Sequence, residues 1–246
     1  MPTVLITGAS QGIGLATARL FAARGAHVVL VARTASKVDL PGATAHDVDL
    51  ADPTAIADLV AAVPTPDVLV NNAGVGRWLF LEDTPVEELA TMAALPYLAA
   101  LHVTRGFLPG MLARGSGHVV TVNSPVSRIP IPGAAGYTSS RYALRGLAAA
   151  LRLDLRGTGV GASEVVPGKV SSNYFANNPG AEERIPLVAR LIPTVSPERV
   201  AEEIVRAVAR RRAEVVFPWQ LKAFEVAGRL FPGVTRYLTW RTGARR

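Results

Sequence analysis

The segment that decides the fold is Thr7-Gly8-Ala9-Ser10-Gln11-Gly12-Ile13-Gly14. The β-branched run Val4 to Thr7 leads into it, and Ile13, Ala16, Leu20 and Phe21 follow at helical spacing, so it is a glycine-rich turn from strand to helix. Glycine admits positive φ and lets backbone approach a ligand with no Cβ in the way. The helix predicted over Ile13 to Arg24 aims free N–H groups and its positive dipole end at the turn. A pyrophosphate suits that place, and a dinucleotide is its natural occupant; the alternative is a tight turn of purely structural use.

Working outward, short apolar runs alternate with longer helical patterns. Strands are predicted at Val4 to Thr7, His27 to Val31, Ala43 to His46, Val68 to Asn71, His118 to Asn123, Val160 to Val166 and Val215 to Phe217. Helices are predicted at Ile13 to Arg24, Thr54 to Ala62, Val86 to Ala113, Thr138 to Arg156 and Pro197 to Arg212. Val28-Val29-Leu30-Val31 is continuously apolar, as a strand covered by helices on both faces should be. The expected architecture is α/β: a Rossmann-type, doubly wound, parallel seven-stranded sheet in a single domain.

Composition narrows the chemistry. With 246 residues, 49% of them hydrophobic, the chain can fill a large core. It has no Cys, and its four His are scattered without ligand spacing, so neither a thiolate nucleophile nor a metal site is expected. The net charge of +7 divides into +1 over residues 1–180 and +6 over 181–246, leaving no surplus on the main body for a nucleic-acid stripe. No run approaches the roughly 18–20 apolar residues that span a bilayer. The start, Met1 to Gly8, lacks a charged region ahead of its apolar run, and a cytoplasmic location is expected.

Arg33 directly follows the second predicted strand. An acidic residue there would take the ribose hydroxyls of NAD, whereas Arg can take the 2′-phosphate of NADP, so NADP(H) is expected in preference to NAD(H). The alternative is a solvated surface Arg; Lys37 adds charge nearby.

Taken with Asn71-Asn72-Ala73-Gly74 after the fourth strand, Ser124 thirteen positions before Tyr137, and Pro167-Gly168 after the sixth strand, the cradle makes the chain resemble the short-chain dehydrogenase/reductase family over roughly residues 3–217. The resemblance implies a nicotinamide cofactor held by Gly8, Ser10, Gln11, Gly12, Ile13 and Gly14, with Asp47 and Val48 at the adenine. Asn72, Ala73, Gly74, Pro167, Gly168, Val170 and Ser172 would line the rest of that site, although Ser172 reads almost equally as a loop surface residue. Tyr137 would be the proton donor to a carbonyl oxygen, or the base in reverse, and Ser124 would polarise the same oxygen. Their alternative readings are a core aromatic and a strand-end cap.

Two positions depart from that pattern. The family places Lys four residues after the Tyr, and here it is Arg141. One helical turn on, Arg141 can still reach Tyr137 and the nicotinamide ribose, but a guanidinium does not readily pass on a proton. Pro96 stands where the family has an Asn that opens the preceding helix. Pro also breaks helices, so a kink can persist without the amide. These departures keep two rivals open: a fold relative with non-redox chemistry, and a nucleotide-binding protein without catalysis.

On the substrate side, expected walls are Trp78, Leu79 and Phe80, then Pro125, Val126, Ile129 and Ile131, then Tyr174 and Phe175. They are apolar, which suits a hydrophobic carbonyl or alcohol. Residues 169–196 read as a lid, with Leu187, Val188, Leu191 and Ile192 as a helical stripe, completing a cofactor-binding domain over 1–217. Residues 218–246 form a basic, aromatic extension, with Trp219, Phe224, Phe231, Tyr237 and Trp240 among Arg229, Arg236, Arg241, Arg245 and Arg246. Leu221, Phe224, Gly228 and Phe231 share a predicted helical face. The extension either folds over the pocket or a second subunit, the favoured reading, or rests on an anionic membrane surface. The family resemblance implies a homodimer or homotetramer.

Overall fold

The computed structural model describes residues 1–172, 174, 178 and 180–245; Phe175 and Arg246 fall outside the described residues. Seven parallel strands form one sheet: β1 (Thr3–Thr7), β2 (His27–Ala32), β3 (Thr44–Asp47), β4 (Val68–Asn71), β5 (Gly117–Val122), β6 (Val160–Pro167) and β7 (Glu214–Phe217), in the order β3-β2-β1-β4-β5-β6-β7. The chain reverses direction across the sheet between β1 and β4, which opens a crevice at their C-terminal ends. The doubly wound expectation is met.

Alternate strand residues supply two cores. Val4, Ile6, Val28 and Leu30 pack under α1 (Gly12–Ala23) and, beyond it, the apolar side of α6 (Pro197–Ala209), including Ile204. Leu5, Val29, Leu69 and Val119 pack on the other face with Ile56 of α2 (Pro53–Ala62), Phe107 of α4 (Ala99–Arg114) and Leu151 of α5 (Ala135–Asp154). Each such fully buried side chain contributes about 1.5–3 kcal/mol. Together they hold the strand ends, and so the crevice, in place.

The helix expected over Val86 to Ala113 is interrupted at the kink expected of Pro96. It divides into α3 (Val86–Ala93), a π-type segment over Ala94–Leu98, and α4, with Leu95 at φ −122°, ψ 116°. The break falls at Pro96, whose ring and missing N–H forbid the regular ladder. The last residues form α7 (Trp219–Leu230) and α8 (Pro232–Thr242), a helical hairpin. No helix among the described residues is long and apolar enough to cross a membrane.

Candidate active site

A cavity of about 1320 Å³ runs from the turn after β1 to the α7–α8 hairpin. One end is the glycine cradle. Gly12 has φ +55°, a left-handed conformation that favours glycine, and a Cβ on Gly14 would stand 2.1 Å from the Gly8 carbonyl oxygen. Gly14 therefore lets α1 close onto the turn and does not itself line the cavity, unlike Gly8, Ser10, Gln11, Gly12 and Ile13. No side chain caps α1 at Gln11 and its first turn holds no acidic residue, so its N–H groups remain available to a ligand at the cavity wall. An elongated cavity with an uncapped helix start at a glycine turn fits a dinucleotide pyrophosphate.

Thr7 and Asn72 tie this turn to β4. The Thr7 hydroxyl oxygen accepts from the backbone N–H groups of Asn72 and Ala73, both at 3.0 Å, and the Asn72 side chain donates to the carbonyls of Thr7 and Gly8. Asn72, Ala73 and Gly74 line the cavity, as do Arg33, Val48, Pro167, Gly168, Val170 and Ser172.

Asp47, like Gly14, does not line the cavity. Its carboxylate accepts from Ser36 N at 2.8 Å and Ser36 Oγ at 2.6 Å, away from the cavity, and these bonds, the side-chain one first, hold it below the usual carboxylate range. Val48, Asp49 and Leu50 form the wall instead. Asp47-Val48 and Asp49-Leu50 are both an acid followed by an aliphatic residue two positions apart, and the sequence offers nothing local to choose between them.

At the middle of the cavity stand Ser124, Tyr137 and Arg141. Tyr137 lies in the first turn of α5, the third residue of a helix that starts three residues earlier than expected. Arg141, one turn on, puts its guanidinium carbon 4.9 Å from the centroid of the Tyr137 ring. Both side chains are buried. Arg141 Nη1 donates to the Val122 carbonyl at 3.4 Å, whereas Nε has no hydrogen-bond partner among the described residues. Gly74 measures how close the two departures lie: a Cβ there would be 2.6 Å from Arg141 Nη2 and 3.5 Å from Pro96 Cβ. Pro96 and Arg141 thus flank one spot.

Asn123 was not foreseen. Its amide donates to Glu164 at 2.7 Å and to the Arg141 carbonyl at 3.2 Å, and its oxygen accepts from Ser124 N at 2.9 Å, so one buried side chain positions both Ser124 and the Arg141 turn. Glu164 in turn pairs with Arg128 at 2.7 Å, and Arg128 reaches Glu214 at 3.0 Å and Glu225 of α7 at 3.2 Å. Burial alone would raise the Glu225 carboxyl, yet Lys222, Arg128 and Arg229 together hold it below the usual range. No local pattern announces this cluster, because its members lie tens of residues apart.

The substrate end is apolar and aromatic. The Tyr137 ring lies 5.7 Å from Trp78 and 6.3 Å from Tyr174, centroid to centroid. Trp78 Nε1 donates to the Tyr174 hydroxyl at 3.2 Å, which donates to the Gly76 carbonyl at 3.1 Å. Burial, and Tyr137 beside it, push the Tyr174 phenol above its ordinary range, so it stays protonated. Pro125, Val126, Ile129 and Ile131 line the cavity as expected; Leu79 and Phe80 do not. The lid stripe splits: Val188 and Ile192 face the cavity, while Leu187 and Leu191 are 54% and 75% exposed. Leu221 and Phe224 of α7 and Thr239 of α8 close the far end. Phe231 is 63% exposed and departs from the face it was expected to share with them.

Known proteins share the family and the fold. The family model for short chain dehydrogenase matches residues 2–183. The chain is 32% identical to a D-beta-hydroxybutyrate dehydrogenase of Rhizobium meliloti over 218 residues, 82% of each chain. Among solved structures, a short-chain dehydrogenase from Streptomyces avermitilis superposes with a TM-score of 0.82 at 27% identity, covering 98% of this chain and 96% of that one. A metagenomic short-chain oxidoreductase in complex with NADP does so at 0.71 and 31% identity, covering 88% and 96%.

Proposed function

The chain belongs to the short-chain dehydrogenase family, and on that footing we propose that it is an NADP(H)-dependent oxidoreductase interconverting a ketone or aldehyde and an alcohol in a hydrophobic substrate. The observation that carries the reading is the pairing of Tyr137 and Arg141 in the cavity that also holds the glycine cradle.

Gly8, Ser10, Gln11, Gly12 and Ile13 would hold the pyrophosphate, Asn72, Ala73 and Gly74 the central ribose, and Pro167, Gly168, Val170 and Ser172 the nicotinamide end. Bound there, the cofactor supplies or accepts hydride. The reacting carbonyl oxygen would lie between Ser124 and Tyr137. Ser124 Oγ polarises it, and the Tyr137 hydroxyl donates its proton as negative charge develops. The permanent charge of Arg141 stabilises the phenolate that remains, and its partnerless Nε has a donor to spare for a ribose hydroxyl. Arg141 is a poor relay for the next proton, and Pro96 offers no side-chain donor beside it. Reprotonation of Tyr137 would therefore run through the opened site between turnovers. Arg33 faces the cavity, with Lys37 in the adjoining turn, and both support a preference for the 2′-phosphate. The walls made by Trp78, Val126, Ile129 and Phe224 support the apolar substrate. Association into a homodimer or homotetramer is part of the same proposal.

NADPH consumption over a panel of apolar ketones tests it. Turnover in the unaltered chain, loss in Tyr137→Phe, and retained or raised turnover in Arg141→Lys are expected. A product formed without the cofactor would favour non-redox chemistry instead.

A further inference from the structure

The α7–α8 hairpin has two unlike faces. Its inner residues, Leu221, Phe224 and Thr239, line the cavity, and Glu225 is locked into the Arg128 cluster. Its outer residues are large, apolar and uncovered: Trp219 is 73% exposed, Leu230 67%, Phe231 63%, Val234 59%, Tyr237 57% and Trp240 63%. On a helix of 3.6 residues per turn, Trp219, Val226 and Leu230 share one side of α7, and Val234, Tyr237, Leu238 and Arg241 share one side of α8. The lid turn abuts α8, where Val188 N donates to Thr242 Oγ1 at 3.4 Å, and it turns Leu187 and Leu191 outward as well. A roof one helix thick therefore separates the cavity from an extended apolar surface.

The charge of that surface has one sign. The sole acid of residues 218–246 is Glu225, which is 3% exposed and already paired. Arg236, Arg241 and Arg245 are exposed, and among the described residues no ion pair holds them. A symmetric contact between two copies would set this patch against itself, arginine facing arginine. An anionic bilayer satisfies both features at once: Trp and Tyr favour the headgroup boundary, aliphatic side chains dip below it, and Arg meets the phosphates.

We propose that the outer face of the α7–α8 hairpin, with the lid turn beside it, is a peripheral docking surface for an anionic lipid bilayer. If the apolar-substrate reading above holds, docking brings the cavity roof to the phase in which such a substrate concentrates; the docking itself does not rest on that reading.

Vesicle flotation of the full chain tests the docking independently of activity. The chain should rise with vesicles of phosphatidylcholine containing 30% phosphatidylglycerol and not with phosphatidylcholine alone. Each Arg near an anionic surface is worth about a fivefold change in partitioning, so Arg236→Gln/Arg241→Gln should bind about thirtyfold more weakly at low salt. Leu230→Ser/Trp240→Ser, which alters only exposed positions, should also lose binding while keeping its melting temperature. Failure to float with anionic vesicles, or equal flotation of all variants on neutral and anionic vesicles, overturns the proposal. So does sedimentation showing that Leu230→Ser/Trp240→Ser splits a dimer, since a second copy would then be what covers the face.

Discussion

Replacing Arg128 with Met removes the buried cation on which the loop after β5, strands β6 and β7, and helix α7 converge. Its side chain is 1% exposed and stands 2.7 Å from Glu164, 3.0 Å from Glu214 and 3.2 Å from Glu225, of which Glu164 and Glu225 are 0% and 3% exposed. Met keeps the length of the stem and takes away the charge. Removing one partner of a buried ion pair costs about 3–5 kcal/mol, because the remaining charge is left desolvated. That is a large share of the roughly 5–15 kcal/mol by which domains are stable. The sign with pH follows from proton uptake. Glu225 keeps Lys222 and Arg229, whereas Glu164 is left with no ion-pair partner among the described residues. A buried carboxylate without its cation favours the neutral form, so the folded variant binds a proton that the unfolded chain releases, and its stability falls as pH rises. Urea unfolding at pH 5 and pH 8, followed by circular dichroism, reads this out. The full deficit is expected at pH 8 and a deficit smaller by about 1 kcal/mol or more at pH 5. Adding Glu164→Gln to Arg128→Met should recover about 1 kcal/mol or more at pH 8, since contacting residues couple by about 0.5–3 kcal/mol. A deficit under about 1 kcal/mol that is the same at both pH values would refute the reasoning.

Burial, followed by the charge of Arg211, pushes the His118 imidazole down to about 4, and its Nε2 lies 2.7 Å from Ser163 Oγ. The unfolded chain protonates His118 near pH 6.5, so stability present above that value should fall by about 3 kcal/mol as pH drops toward 4. Thermal melts of His118→Gln should show that part of the slope removed. Arg33→Ala should weaken NADPH binding about 10- to 100-fold, the worth of a hydrogen-bonded charge, while leaving NADH unchanged in a fluorescence titration. A Cβ on Gly76 would lie 2.1 Å from Tyr137 Cδ2, so Gly76→Ala must displace the ring. Its kcat should fall about 100-fold with NADPH affinity preserved, and an unchanged kcat would mean that the position of Tyr137 does not matter.

Much of this was legible in local pattern. A buried parallel strand needs an apolar run, and Val28 to Val31 supplies one; a cradle needs glycines at fixed steps, and residues 7–14 supply them. The family resemblance singled out Tyr137 and Arg141, and helical spacing then set them side by side. Pro96 marked the helix break, since a missing N–H acts within its own turn. What escaped was nonlocal. Asn123 looks like an ordinary strand-end amide until β6 brings Glu164 beside it, and Arg128 draws its partners from β6, β7 and α7. Asp47 and Asp49 differ only in which way the chain turns after β3. The aromatics of the extension announced burial or binding, and only the packed hairpin separates Phe224, over the cavity, from Phe231, facing outward.

The most direct test of the central claim follows the hydride itself. The enzyme is incubated with NADPH deuterated at the transferable position and an apolar ketone, and the alcohol is examined by mass spectrometry. One deuterium on the carbinol carbon is expected, formed at least about 100-fold more slowly by Tyr137→Phe. Alcohol without label, label at the same rate in both proteins, or no measurable affinity for the nucleotide would contradict it.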